Sequence, residues 1–319
     1  MKNKQLFNKI KSKCPLIVIL GPTASGKSAV SIELSKLLDI EIISADSRQI
    51  YRYLNIGTAK PSDDELRTVP HHFIDIVNPD QYYSAGKFGT EAEKSALTII
   101  SKGKIPVVAG GSGLYIQALC EGLFDGELND YNSETRQILQ KRIEDEGKKK
   151  LYSELKAIDP DLANKYSDLN PRRIIRALEY FYNTGNQLSK AQNIKIEKPF
   201  KVFYFGIYHD RNLLYQRIND RTMKMWEQGL ADETRSILRL GYSPELNSLN
   251  TVGYKETLKY LNGKFSEEET IEEIKKNTRR YAKRQMTWFR KNSEIDWLAG
   301  NDNPKLTTEN ILEKLSVSA

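Results

Sequence analysis

Leu16-Ile17-Val18-Ile19-Leu20-Gly21-Pro22-Thr23-Ala24-Ser25-Gly26-Lys27-Ser28 is the stretch on which the fold turns. Its five leading apolar residues read as a buried strand. Gly21–Ser28 then completes the pattern G-x-x-x-x-G-K-[ST]. Ser28–Leu38 follows as a helix, with Val30, Leu34, Leu37 and Leu38 on one stripe. A strand, a glycine-bounded turn and a helix start aim backbone N–H groups and the positive end of a helix at one point. Lys27 is long enough to meet terminal phosphates, and the Ser28 hydroxyl suits the shell of a Mg2+ ion. By chance the bare pattern arises in roughly 1% of chains of this length. Gly21, Pro22, Thr23, Ala24, Ser25, Gly26, Lys27 and Ser28 are therefore candidate ligands of a di- or triphosphate.

Outward from this loop, strand and helix signals alternate. Ile40–Ala45 is a second strand and Phe73–Val77 a weaker third. The helical stretch Ser84–Lys102 leads to a strand at Ile105–Ala109. Gly110-Gly111-Ser112-Gly113 then turns into the helix Leu114–Glu121. This predicts an α/β fold: a P-loop NTPase-like parallel sheet with helices on both faces. From Asp125–Asp130 the pattern changes. Ser133 to Gln192 carries helical periodicity and many charges but no strand. A strand returns at Val202–Tyr208. Helices follow at Arg211–Gly229, Asp232–Leu240, Thr251–Leu261 and Glu267–Lys291, then a strand at Ile295–Leu298 and a helix at Thr308–Leu315. We read residues 14–127 and 200–319 as the α/β core, and 128–199 as a helical insertion.

Composition bounds the function. The chain has 319 residues, 39% hydrophobic and 29% charged, within the range of soluble globular proteins. No apolar run approaches the ~20 residues that span a bilayer, so no membrane partner is expected. The basic stretch Met1–Lys13 resembles the opening of a signal peptide, but the apolar run behind it leads straight into the phosphate loop, and a cytoplasmic protein is expected. Cys14 and Cys120 have no companions at ligand spacing, which argues against a disulfide framework or structural zinc. The net charge of +7, from 49 basic and 42 acidic residues, permits a polyanionic partner without requiring one.

On a parallel sheet, ligands sit beyond the carboxyl ends of the strands. Asp46 stands there, followed by the polar residues Ser47, Arg48 and Gln49, and is a candidate metal-site acid or general base; the alternative is a turn aspartate. Ser112 stands in the glycine turn, whose glycines permit close approach to a ligand; a plain strand–helix turn is the alternative. Arg217 and Arg221 lie four apart on one helical face and reach toward the phosphate loop, or else form a solvated face. Arg279, Arg280, Lys283, Arg284, Arg290 and Lys291 form an acid-free run with Tyr281, Trp288 and Phe289 between them. Such a mixture suits an RNA backbone and unstacked bases, or an amphipathic helix with its aromatics in the core. A second basic cluster, Arg172-Arg173-Ile174-Ile175-Arg176, shifts the balance toward nucleic acid. His71-His72 lack a third metal ligand and read as structural.

In order, the phosphate loop, Asp46–Arg52, Gly57-Thr58-Ala59-Lys60-Pro61, His71–Asp75, Gly110–Tyr115, Arg172–Glu179, Val252-Gly253-Tyr254-Lys255-Glu256 and Lys283–Arg290 resemble the tRNA dimethylallyltransferase family. The resemblance spans about Pro15 to Arg290. It implies transfer of a dimethylallyl group from dimethylallyl diphosphate to N6 of adenosine-37 in the tRNA anticodon stem-loop. It further implies Asp46 and Ser112 as catalytic residues, and the phosphate loop with Arg221 as the diphosphate site. Asp46, Ser47, Arg48, Gln49, Arg172, Arg173, Ile174, Ile175, Arg176, Thr251, Val252, Gly253, Tyr254, Lys255 and Arg284 are the implied tRNA contacts. Ser28 is the implied Mg2+ ligand, and a monomer is expected. Ser112 departs from the family's usual threonine but keeps the hydroxyl. The absence of a C-terminal zinc finger points to a bacterial-type member. A small-molecule P-loop kinase, a transferase acting on free adenine nucleotides and a non-catalytic RNA-binding switch are the rival readings.

Overall fold

The computed structural model describes residues 14–123, 134–193 and 196–318. Met1–Lys13 and the change of pattern at Asp125–Asp130 lie outside them. Six strands form one sheet in the order β3-β2-β4-β1-β5-β6. They are β1 (Pro15–Leu20), β2 (Ile40–Ser44), β3 (His71–His72), β4 (Ile105–Gly110), β5 (Lys201–Tyr208) and β6 (Asp296–Ala299). Every pairing is parallel.

The apolar runs follow from burial on both faces. In β1, Leu16, Val18 and Leu20 enter one core and Ile17 and Ile19 the other. The first core is covered by α3 (Ala85–Ser101) through Phe88, Ala92, Ala96 and Ile99, and by α4 (Gly113–Cys120) through Tyr115, Ile116 and Leu119. The second is covered by α1 (Lys27–Ser35) through Val30 and Leu34, and by α14 (Pro304–Ser318) through Ile311 and Leu315. A short helix, α2 (Asp63–Thr68), has a reciprocal capping box between Ser62 and Glu65.

The strand expected at Phe73–Val77 is instead His71–His72. Phe73 and Asp75 have φ of 65° and 55°, in the left-handed region that a strand does not use. Val77 keeps only an isolated bridge to Tyr51. The His72 ring is fixed by Glu41, Nε2 to Oε2 at 2.8 Å.

The chain forms two compact units, Met1–Cys120 with Pro199–Ala319, and Glu121–Lys198. The second is all helix among its described residues: α5 (Glu134–Glu146), α6 (Lys148–Ile158), α7 (Pro160–Lys165), α8 (Pro171–Thr184) and α9 (Leu188–Gln192). Leu139, Leu151, Leu155, Leu162, Ile174 and Leu178 form its core. Asp159 ties two of its helices, accepting from Leu162 N–H at 3.1 Å and Ser189 N–H at 2.8 Å. In the first unit, β5 is followed by α10 (Arg211–Glu227), α11 (Leu230–Arg239), α12 (Tyr254–Leu261) and α13 (Glu267–Phe289). No helix among the described residues is long and apolar enough to cross a membrane.

Candidate active site

The chain leaves β1 toward β2 and leaves its neighbour β4 toward β5, so the connections of these two adjacent strands run in opposite directions. A crevice at the carboxyl end is the result. A cavity of about 510 Å³ occupies it, lined by Lys27, Ser28, Asp46, Gly110, Gly111 and Arg221 among others.

The phosphate loop is shaped by backbone that L side chains resist. Gly21 lies at φ 149°, and a Cβ there would stand 2.4 Å from the Ile207 carbonyl oxygen. Gly26, at φ 91°, precedes the first turn of α1. From outside the loop, His209 Nε2 lies 3.2 Å from the Ser25 carbonyl, and Arg217 Nε donates to the Ala24 carbonyl at 3.0 Å. Arg217 also pairs with Asp302 at 2.6 Å. Of the two arginines on one helical face, only Arg221 lines the cavity.

Lys27 donates to the Pro22 carbonyl at 2.6 Å. Burial, and then the neighbouring Arg221 cation, depress its pKa to about 7; Asp46 opposes the shift. Arg221 is lowered by burial and likewise supported by Asp46. Two cations crowded at a phosphate loop are poised to gain an anion. We expect Lys27 to take up a proton when a diphosphate binds. Affinity for inorganic diphosphate should then fall as pH rises above 7, by up to about tenfold per unit. Calorimetric titration from pH 7 to about 9 checks this, and Lys27→Met should flatten the extra slope.

Asp46 lies two residues past the end of β2. Its Oδ1 accepts the N–H groups of Arg48 at 2.8 Å and Gln49 at 3.4 Å. Turn aspartate and cavity carboxylate are thus the same residue, because Oδ2 makes no hydrogen bond among the described residues. Gln49 bridges onward: it accepts from Ser44 Oγ at 3.0 Å and donates to the Thr58 and Ala59 carbonyls at 3.2 and 3.0 Å. Arg48 reaches the Asn247 carbonyl at 2.7 Å.

Ser112 lies at the edge of the cavity rather than in its lining. Its N–H donates to the Ala45 carbonyl at 3.1 Å, which ties the glycine turn to the residue before Asp46. The turn's glycines give room to protein neighbours. A Cβ on Gly110 would meet the Ala45 carbonyl oxygen at 2.1 Å, on Gly111 the Gln285 amide at 2.3 Å, and on Gly113 the Trp288 indole at 2.2 Å.

Thr251, Val252, Gly253 and Lys255 line the cavity, whereas Tyr254 is wholly buried. Its ring fills the space where Gly57 lacks a side chain, 2.5 Å from a Cβ built there. Its hydroxyl donates to Glu233 at 2.5 Å, and the same carboxylate accepts the N–H groups of Asn55, Ile56 and Gly57. Tyr254 therefore props the Gly57–Ala59 segment and offers no surface to a macromolecule. Ile174 and Ile175 do the same for the helical unit, at 0% and 8% exposure in its core. Arg172 and Arg173 are exposed, while Arg176 pairs with the buried Glu179 at 3.5 Å. In α13, Arg284 is exposed and lines the cavity above Tyr281. Arg279 is turned to Asn219 at 2.8 Å, and Phe289 is core.

The sequence reading passed over Glu233, Glu256, Asn277 and Gln285. Glu256 accepts the Gly253 N–H and an Asn277 amide hydrogen, both at 2.8 Å, and so fixes the Thr251–Gly253 turn. Glu256 stood inside a motif, but its spacing held no sign of a cavity partner.

Residues 49–292 match a family model described as IPP transferase. The chain belongs to this family. A tRNA dimethylallyltransferase of Halothermothrix orenii is 42% identical over 94% of this chain and 92% of its own length. One of Alkaliphilus oremlandii is 43% identical over 93% and 96%. Among solved structures, the tRNA isopentenylpyrophosphate transferase of Bacillus halodurans is 36% identical, with a TM-score of 0.68, over 96% of this chain and 99% of that one. A eukaryotic dimethylallyltransferase acting on tRNA is 30% identical, with a TM-score of 0.78, over 95% and 78%. Family membership makes the chain a transferase and disfavours both a small-molecule kinase and a transferase acting on free nucleotides.

Proposed function

We propose that this enzyme transfers the dimethylallyl group of dimethylallyl diphosphate to N6 of adenosine-37 in the anticodon stem-loop of tRNA, acting as a cytoplasmic monomer. One observation carries the chemistry. Asp46, with one oxygen uncommitted, and the cations Lys27 and Arg221 line the same cavity. A base and an anion-stabilising pair in one chamber suit a substitution in which a proton leaves one partner and diphosphate leaves the other.

The N6 lone pair is delocalised into the adenine ring and is a weak nucleophile. Asp46 Oδ2 accepts the N6 proton as N6 bonds to the allylic carbon. The carbon–oxygen bond breaks, and its electron pair leaves with diphosphate. Lys27, the loop N–H groups and Arg221 receive that charge. Asp46 stays oriented because Oδ1 is held by two backbone donors. Ser112, whose N–H is bonded to the Ala45 carbonyl, helps hold the segment that carries the base. Adenine must leave the anticodon stack to enter, at a cost of a few kcal/mol, which RNA contacts elsewhere offset.

The residues suit Mg2+ as a companion of the donor. No group of three or more His, Cys, Asp or Glu side chains able to hold a metal occurs among the described residues. Ser28 offers a hydroxyl beside the phosphate loop, the donor set for a hard cation that takes most ligands from diphosphate and water. Bound there, Mg2+ would offset charge on the leaving group.

For RNA binding, Arg172, Arg173 and Arg284 are the exposed candidates, with Arg176 contributing less because Glu179 already engages it. Affinity for tRNA should fall steeply with salt. Arg172→Ala and Arg284→Ala should each lower the slope of log K against log salt by about 1. Filter binding at several salt concentrations checks this; unchanged slopes would remove both residues from the interface. The function itself is tested by offering tRNA and AMP side by side with labelled donor. Label should enter tRNA, and label in AMP alone would select the free-nucleotide reaction.

A further inference from the structure

Gln285 lies on α13, in the part of the chain quoted above for its basic and aromatic residues, yet it is 6% exposed and spans two loops of the site. Its Oε1 accepts the N–H of Thr23, in the phosphate loop, at 2.9 Å. Its Nε2 donates to the carbonyl of Gly111, in the turn after β4, at 2.8 Å. Both ends of one amide are therefore committed, to backbone groups of the two loops that flank the cavity. The contact is also shaped sterically, because the Gln285 amide occupies the volume that a Cβ on Gly111 would need. Three residues further along α13, Trp288 packs in the same way on Gly113. The Gly111 turn is in turn joined to the Asp46 strand through Ser112 N–H and the Ala45 carbonyl.

We propose that Gln285 is a positioning residue: a strut that sets the spacing between the phosphate loop and the Ser112 turn, and so between the leaving group and the groups that act on the amine. This rests on the function proposed above. The strut uses a side chain whose two ends meet a loop donor and a turn acceptor at once. A carboxylate in its place would still accept from Thr23 but would set an oxygen against the Gly111 carbonyl. A methionine would keep the shape and lose both bonds. Because a displacement of about 1 Å between reacting groups costs on the order of 10²-fold, loss of the strut should act on the chemical step. Binding should change little, as Lys27, Ser28 and Arg221 still line the cavity.

The test is single-turnover transfer to tRNA by Gln285→Met and Gln285→Glu, beside equilibrium binding of inorganic diphosphate and of tRNA, and amide hydrogen exchange at Thr23. Gln285→Met should lower the single-turnover rate by about 10–100-fold while both affinities stay within about threefold. Exchange at Thr23 should quicken. Gln285→Glu should restore protection at Thr23 without restoring the rate. A wild-type rate in Gln285→Met overturns the proposal. So does a loss of rate matched by equal losses of affinity, or failure of both variants to fold, since either makes Gln285 an ordinary core residue. If the wild-type protein itself transfers nothing to tRNA but binds diphosphate, the proposed function fails, and faster exchange at Thr23 in Gln285→Met still reports the strut.

Discussion

Asp46→Asn should lower the single-turnover rate of transfer by about 10²–10⁴-fold while tRNA and diphosphate still bind. The amide keeps the size of the side chain, and its oxygen can still accept the Arg48 and Gln49 N–H groups that Oδ1 accepts now. The turn after β2 should survive. What is lost is the basicity of Oδ2. A second effect works in the same direction: Asp46 supports the charged forms of Lys27 and Arg221, so its neutralisation leaves those two cations crowded without a counter-charge. Ser112→Thr should be tolerated, because the tie to Ala45 is made by the backbone. The measurement is quenched-flow transfer with saturating donor and tRNA. A wild-type rate in Asp46→Asn, with weakened binding alone, would make Asp46 a binding group and send the search for a base elsewhere.

Lys27→Ala should be the more damaging of the two possible cation deletions, with kcat/KM down by at least about 10²–10³-fold. Lys27 sits inside the phosphate loop and is bonded to its Pro22 carbonyl, so it meets the diphosphate both on binding and as negative charge grows. Arg221→Ala should cost less. Removing Arg221 relieves one of the two causes that depress the Lys27 pKa, so the remaining lysine is more fully charged near pH 7. The two deletions should therefore not be additive. Steady-state kinetics of the single and double variants check this; equal, additive losses would show that the two cations act on separate parts of the donor.

The legible parts of the site were those in which a backbone need and a side-chain chemistry fall in one short segment. Gly21–Ser28 is such a segment, since its glycines, its lysine and its hydroxyl all serve one ligand. Asp46 was legible because a parallel sheet puts strand ends together. The misreadings have physical causes. Phe73–Val77 is apolar enough for a strand, but two residues at positive φ turn it. Tyr254, Ile174 and Ile175 stand beside polar neighbours in their motifs, and nothing local says that they point inward. The glycines of Gly110–Gly113 were read as space for a ligand, when the atoms that fill the space belong to Ala45, Gln285 and Trp288. Gln285 was illegible for the plainest reason. Its partner Thr23 is 262 positions away, and only the packing of α13 brings them together.

The destination of the prenyl group is the most direct test of the proposed function. The measurement is mass spectrometry of nuclease digests, after incubation of the protein with dimethylallyl diphosphate, Mg2+ and an unmodified tRNA transcript carrying adenosine at position 37. The expected result is N6-(dimethylallyl)adenosine at that position, release of one diphosphate per product, and no product on the same transcript with guanosine at 37. Product at another nucleotide, or diphosphate released without prenylated tRNA, would contradict it.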